Sequence, residues 1–389
     1  MKSGLCLFVL TVTMQAQTFV GSATCAPCHQ ATYDSWKKTR MANIVQDPKV
    51  RPEAIVADFS KPNPLVTFTK DDVAFTYGSK WKQRYFKKTT QKDGSIDYFV
   101  YPAQWDIAAK VWRAYNPKLG TDWWIPHYPA DQMQRPTGPL CDGCHSVNFN
   151  IADNTVTEWN VGCEKCHGPG SVHAAKPTKT NIVNPAKLDP VSGSDTCLQC
   201  HTQGQPKTNP INGKYYDWPV GYEPGKKLSD YWALEEHKLG ETTFTHFADD
   251  SAHKNRMQGN DFINSRMHAK GITCFSCHNP HGTEYNADVK KPGNAMCLQC
   301  HTTVSPTQHS HHSENSTGNQ CIECHMPKIA QTIADVNVRS HTFKFITPTA
   351  SEKYKIPNAC IQCHKDQSNA WATRQLQTWT NFSGWRLSQ

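Results

Sequence analysis

The chain has 389 residues and a formal net charge of +8, and only 37% of its residues are hydrophobic. Its mean hydropathy of −0.65 leaves little apolar material for a protein core. Beyond the first residues, no apolar stretch approaches the roughly 20 residues of a membrane-spanning helix, so we expect no transmembrane segment in the mature chain.

The N-terminus has the pattern of a secretory signal peptide. Met1-Lys2 gives a short basic start, a mostly apolar run extends from Leu5 to Met14, and Ala16 offers a small residue for cleavage. We expect residues 1–16 to be removed and the mature chain to be periplasmic or extracellular. Cys6 falls inside this segment, and the position of Leu5 directly before it does not fit a lipoprotein signal.

The pattern Cys-x-x-Cys-His occurs eight times and uses sixteen of the 17 cysteines. It is the attachment signature of c-type haem, in which each thiol forms a thioether to one porphyrin vinyl group and the histidine is the proximal iron ligand. A disulfide framework, structural zinc or a single redox motif would not repeat in this form. In chain order, motifs one to eight predict eight haems, held by Cys25, Cys28 and His29; Cys141, Cys144 and His145; Cys163, Cys166 and His167; Cys197, Cys200 and His201; Cys274, Cys277 and His278; Cys297, Cys300 and His301; Cys321, Cys324 and His325; and Cys360, Cys363 and His364.

The uneven spacing of the motifs divides the chain into segments. After the signal peptide (1–16) we expect a first haem segment (17–50) and a β-rich, aromatic insertion (51–135). Haems two to four with a linker (136–265), haems five to eight (266–364) and a C-terminal helix (365–389) follow. The fold class that we predict is mainly α and irregular, with a small antiparallel β insertion near 62–101.

Alternating apolar and polar residues define the strands of this insertion. We expect strands at Leu65–Thr69 and Val73–Tyr77, and a hairpin of Lys82–Thr89 with Ser95–Tyr101 around the turn dipeptide Asp93-Gly94. Its lysines either form a solvated face or dock an acidic partner. Further along, we expect Trp105, Trp112, Trp123 and Trp124 to pack on haem faces or at a junction between lobes. In the last segment, Trp371, Leu376, Trp379 and Phe382 would share one side of a helix.

Eleven of the 19 histidines lie outside the motifs, enough to give every iron a second imidazole. From their spacing we predict that His173, His246, His253, His268, His281, His311 and His341 are distal ligands. His311 is chosen from a cluster with His309 and His312, and His237 is assigned to the surface.

The first two haems have the least obvious distal ligands. No histidine lies between His29 and His127, and the local candidate for the first haem is Met41, whose sulfur would raise the potential of that haem. The alternatives are that Met41 is only a core residue, that the distal site is vacant, or that His127 or a histidine from another subunit is the ligand. For haem two, His127 and Met133 are the nearest upstream candidates.

The first motif and its surroundings carry a family resemblance. Residues 19–36, from Phe19 through the motif to Trp36, resemble the opening of multihaem cytochromes of the cytochrome c-554 type, a superfamily that includes hydroxylamine oxidoreductases and pentahaem nitrite reductases. Residues 321–327 and 339–341 resemble other segments of these proteins. The resemblance implies haems stacked closely into a conducting chain. All eight motifs end in histidine, whereas those nitrite reductases commonly carry a lysine at the catalytic haem, which argues against nitrite reduction.

Electron transfer is the leading functional hypothesis, with redox proteins as donor and acceptor. Haem propionates offset the positive charge, so we expect no nucleic-acid partner. One alternative is a reductase or oxidoreductase that acts on a small nitrogen or sulfur oxyanion at a five-coordinate haem. Another is a homo-oligomer or a subunit of an extracellular cytochrome filament.

Overall fold

Short helices joined by irregular segments form most of the fold. The computed structural model describes residues 17–115 and 135–380. The helices are α1 (Ser22–Trp36), α2 (Gly143–His145), α3 (Cys163–His167), α4 (Ser171–Ala175), α5 (Pro190–His201), α6 (Gln258–Ile263), α7 (Arg266–Ala269), α8 (Cys274–Cys277), α9 (Ala295–Leu298), α10 (Pro306–Ser310), α11 (Cys321–His325), α12 (Pro348–Tyr354), α13 (Ala359–Cys363) and α14 (Asn369–Gln377). In these ranges no helix combines the length and apolarity needed to cross a bilayer.

The strands form one larger sheet and three small two-stranded sheets, all antiparallel. Strands β1 (Val45–Gln46), β2 (Phe75–Tyr77), β3 (Lys82–Thr90), β4 (Ile96–Asp106) and β5 (Val111–Ala114) follow one another in the larger sheet. The small sheets pair β6 (Ser146–Val147) with β7 (Glu158–Trp159), β8 (Gly204–Pro206) with β9 (Trp232–Leu234), and β10 (Lys328–Ile333) with β11 (Val336–Arg339).

The predicted hairpin around Asp93-Gly94 is confirmed. Strands β3 and β4 pair on either side of it, and Gly94 has the positive φ of 83° that the turn requires. The sheet is larger than predicted, since it also recruits β1 and β5. The predicted strand Leu65–Thr69 is wrong, because its backbone is used in turns: the N–H of Val66 donates to the carbonyl of Asn63, and the N–H of Thr69 donates to the carboxylate of Asp72.

Aromatic side chains form the core that packs against this sheet. Trp105 and Trp112 face each other across β4 and β5 with ring centroids 5.2 Å apart, and they pack in one cluster with Phe68 and Tyr85. The expectation that these two tryptophans pack on haem faces is therefore corrected: they are core residues of the sheet. Trp123 and Trp124 lie outside the described residues.

The C-terminal helix is present but shorter than its predicted segment. Helix α14 packs against α12, and Leu376 is buried in that contact region. Trp379 follows the end of the helix and stacks on His311 with ring centroids 4.4 Å apart. Phe382 and the signal-peptide segment, including Cys6, lie outside the described residues.

Candidate haem sites

All eight Cys-x-x-Cys-His motifs are built on helical turns. In α3 and α11 the helix begins at the first cysteine and ends at the histidine, while α5 begins about two turns before its motif and ends on His201. One helical turn puts cysteines three positions apart on the same face, which is the arrangement needed to bond one porphyrin edge. The sixteen motif cysteines all lie in the described ranges and are free of disulfide bonds.

Five motif histidines face a second imidazole at a narrow range of distances. The ring centroids are 6.4 Å apart in His29–His173, 6.1 Å in His167–His281, 6.5 Å in His278–His341, 6.1 Å in His309–His325 and 6.3 Å in His312–His364. The interplanar angles are 15°, 8°, 27°, 21° and 35° respectively. These rings are too far apart for direct stacking contact and share a common spacing.

This spacing fits a haem iron held between two imidazoles. With iron–nitrogen bonds of about 2 Å, and each centroid about 1.1 Å behind its nitrogen, the two centroids would lie about 6.2 Å apart. Rings that met each other directly would lie closer, as His237 and His246 do at 5.0 Å. The geometry of the five pairs therefore fits bis-histidine ligation of motifs one, three, five, seven and eight.

Hydrogen bonds at the other ring nitrogen support this interpretation. In each of five imidazoles, Nδ1 faces an oxygen acceptor, which leaves Nε2 for a metal. The distances are 2.7 Å from His167 to the Val183 carbonyl, 2.9 Å from His278 to the Ala287 carbonyl, 2.9 Å from His173 to Asn181 Oδ1, 3.1 Å from His341 to the Arg339 carbonyl, and 2.6 Å from His312 to the Ser310 carbonyl.

The structure places a histidine, and not Met41, opposite the first motif. His173 reaches His29 from the loop after motif three, whereas Met41 lies in a single 3-10 turn whose carbonyl accepts a hydrogen bond from the N–H of Val161. In the histidine cluster, His309 and His312 face motif histidines, while His311, the predicted ligand, stacks on Trp379. The cluster therefore faces motifs seven and eight, whereas its neighbours in the sequence are motifs six and seven.

The remaining predicted ligands have mixed surroundings. His281 faces His167 and His341 faces His278, both at the common spacing. His246 stacks on His237, and His253 packs against Phe247 with ring centroids 4.5 Å apart. His268 contacts Phe262. Within 17–115 and 135–380, no imidazole faces His145, His201 or His301 at the common spacing, and His127 and Met133 lie outside these ranges.

Motif two has a buried and cationic environment. A single π-helical turn, Gly138–Asp142, contains its first cysteine, Cys141, and burial together with the charge of Arg256 lowers the pKa of His145 to about 3. The charge of Arg84 acts in the same direction. The ring of Tyr77 lies 5.1 Å from that of His145, and its hydroxyl donates to Asp142 Oδ1 at 2.5 Å.

Charged groups around motif two are held in place by buried hydrogen bonds. Burial raises the pKa of the Asp142 carboxyl to about 6, although Thr137 also donates to it. Arg256 donates to Gln203 Oε1 at 3.0 Å, and Arg84 donates to Gln104 Oε1 at 3.3 Å. Fixed cations beside a buried imidazole create a positive potential at this motif.

Contacts between cysteines show which motifs are neighbours. The thiols lie side by side in the pairs Cys25–Cys163, Cys144–Cys200, Cys197–Cys274 and Cys297–Cys321, which link motifs one and three, two and four, four and five, and six and seven. Three further pairs lie close enough to interact electrostatically: Cys166–Cys197, Cys277–Cys300 and Cys324–Cys360. The motifs thus follow one another in the order one, three, four, five, six, seven, eight, and motif two branches from motif four.

Comparison with known proteins agrees with this reading of the motifs. Residues 24–74 match the family described as cytochrome c554 and c-prime, and residues 267–306 match the family described as a doubled CXXCH motif. The chain is 20% identical over 397 residues to the dissimilatory sulfite reductase MccA of Wolinella succinogenes, covering 79% of this chain and 50% of that protein. It is 24% identical over 190 residues to the multiheme cytochrome MtrA of Shewanella baltica, covering 48% of this chain and 54% of that protein.

A solved structure shows a similar fold. The outer cell wall cytochrome OcwA superposes with a TM-score of 0.73 at 21% identity, over 93% of this chain and 87% of that chain. The chain spans only about half of the length of the two curated relatives, so their activities describe those proteins alone. The repeated attachment motifs, the paired imidazoles and these similarities together identify the chain as a multihaem c-type cytochrome.

Proposed function

We propose that this protein is an octahaem electron-transfer cytochrome that is exported from the cytoplasm. The observation that carries the proposal is the continuous order of seven motifs from one to eight, in which a cysteine of each motif lies near a cysteine of the next. The haem that each motif would hold supplies one-electron redox chemistry when bound. The chain's own contribution is to fix each attachment site beside the next.

The proposed iron ligands follow from the imidazole pairs. Under this proposal, paired imidazoles would hold five of the eight haems: His29 with His173, His167 with His281, His278 with His341, His325 with His309, and His364 with His312. Two strong ligands close both faces of an iron, so these five sites exchange electrons without binding a substrate. Both ends of the series, motifs one and eight, are among them.

The ends of the series also reach the surface. Cys28 in motif one and Cys363 in motif eight are exposed, as is Cys300 of motif six within the series, in contrast to the buried cysteines of motif two. A partner protein could therefore approach either end of the series closely. The similarity to an outer cell wall cytochrome supports the proposed location outside the cytoplasm. The physiological donor and acceptor are proposed only as redox proteins.

Low-temperature EPR of the fully oxidised protein tests the ligation. The haem content is measured first, and eight haems per chain are expected. We expect at least five low-spin haems, and H173A should convert one of them to high spin while M41A leaves the spectrum unchanged. If M41A produces the high-spin signal and H173A does not, the ligand assignment of the first site is wrong. Fewer than five low-spin haems would contradict the bis-histidine proposal as a whole.

A second candidate function is reduction of a small nitrogen or sulfur oxyanion at motif two. The observation that favours it is the buried His145 flanked by the cations Arg256 and Arg84, on a branch beside the main series. The similarity to a sulfite reductase is compatible with it. Adding sulfite, nitrite or hydroxylamine to the reduced protein tests it: reoxidation that is abolished in R256M supports catalysis, and the absence of any reoxidation counts against it.

A further inference from the structure

A buried carboxylate lies between motifs one and three. Glu164 occupies the position after the first cysteine of motif three, and its side chain is almost fully buried, with the residue 2% exposed. A buried carboxylate is costly unless its oxygens are satisfied by donors. Here three backbone N–H groups from two separate segments supply them.

The first segment is the start of the described chain, just before α1. The N–H of Val20 lies 3.0 Å from both carboxylate oxygens of Glu164, and the N–H of Gly21 donates to Oε2 at 2.8 Å. These residues precede the helix that carries motif one. The carboxylate therefore fixes the approach of α1 to motif three, and its charge is favourable next to a helix N-terminus.

The second segment is the loop that delivers His173. The N–H of Gly170 donates to Glu164 Oε1 at 2.7 Å, and the next residue, Ser171, exchanges hydrogen bonds with Thr18 of the first segment at 2.8 and 3.1 Å. Helix α4 starts at Ser171 and carries His173. One side chain thus joins motif three, the start of α1 and the ligand-bearing loop.

We propose that Glu164 is a positioning residue that brings His173 to the iron held by His29, and this inference rests on the bis-histidine ligation proposed above. The tie is specific, because the other carboxylate at this junction, Glu158, accepts its hydrogen bonds from Ser22, through the N–H at 3.1 Å and the hydroxyl at 2.6 Å. Glu158 has no hydrogen bond to the loop at 168–173 in the described part of the chain. It therefore offers a matched control.

The test compares E164Q, E158Q and H173A by EPR of the oxidised holoprotein and by redox titration. The amide of E164Q keeps the shape but turns an N–H₂ group towards backbone N–H donors, so the loop should shift. We expect E164Q to give a high-spin signal of up to one haem per chain, as H173A does, and to raise the potential of one haem. E158Q should keep the wild-type spectrum and potentials.

A second variant is used if E164Q does not yield haem-loaded holoprotein. E164D keeps the charge but retracts the carboxylate by one methylene, and a smaller high-spin fraction is expected from it. If both Glu164 variants keep the wild-type spectrum while H173A opens one site, the positioning role is refuted and the ligation stands. If H173A itself changes nothing, the proposed ligation of the first site fails, and the inference about Glu164 fails with it.

Discussion

Replacing Arg135 with methionine tests how motif two is held in the fold. Arg135 Nη2 lies 2.9 Å from Asp217 Oδ2, and Nη1 donates to the Tyr215 carbonyl at 2.6 Å. The two charged side chains are only 4% and 1% exposed. Asp217 in turn donates its N–H to the Pro139 carbonyl, inside the π-helical turn that leads into motif two.

The expected loss of unfolding free energy follows from the Asp217 charge that R135M leaves unpaired. The second carboxylate oxygen of Asp217 has no hydrogen-bond partner among the described residues, so without the guanidinium the charge would be buried and uncompensated. Breaking a buried ion pair from one side costs about 3–5 kcal/mol, whereas replacing both partners by apolar residues is often close to neutral. We therefore expect R135M to be strongly destabilised and R135M/D217L to recover most of the loss.

Urea unfolding of the holoprotein, followed by far-UV circular dichroism, measures both effects. R51M is the control, because Arg51 forms an exposed pair with Glu53 and its loss should leave the unfolding midpoint unchanged. A loss below about 1 kcal/mol in R135M would refute the reasoning. A double variant that is as unstable as R135M would show that the guanidinium acts through the Tyr215 carbonyl instead of the ion pair.

Three further predictions concern individual ligands and packing. H281A should convert one low-spin haem to high spin in EPR, because His281 faces His167; an unchanged spectrum would remove His281 from the ligand set. H312A should do the same at motif eight while the adjacent H311A does not, and the reverse result would restore the sequence-based choice of His311. G259A should lower stability by about 1–3 kcal/mol in urea unfolding, because a Cβ there would lie 2.9 Å from the His201 carbonyl on α5; wild-type stability would mean that α6 can move away.

The attachment sites could be predicted from the sequence because all their information is local. Two cysteines and a histidine within five residues suffice to bond one porphyrin and one iron, whatever the surrounding fold. The hairpin at Asp93-Gly94 was predictable for the same reason, since a short turn with a glycine at positive φ sets the register of its own strands. His281 and His268 were both predicted from positions beside motif five, and in the structure His281 faces the imidazole of motif three while His268 contacts Phe262.

The partners of the first and last motifs could not be predicted, because they depend on tertiary structure. His29 and His173 lie in segments that are distant in the sequence and that are both hydrogen-bonded to Glu164, and nothing near His29 indicates this. In the cluster at 309–312, the chain leaves α10 at His311, which has a positive φ of 56°. That turn points the three imidazoles in different directions, so that two of them face different motifs.

The pattern of ligation also bears on where chemistry at an iron could occur. Under the proposed assignment, motifs one and eight at the two ends carry imidazoles on both faces, so the ends can only exchange electrons with partners at the haem edge. An open iron would have to belong to motif two, four or six. Of these, motif two lies off the main series and beside Arg256 and Arg84, whereas motifs four and six lie within it. A substrate bound at motif two would leave the path between the two ends intact, so one chain could conduct electrons and still reduce a substrate on its branch.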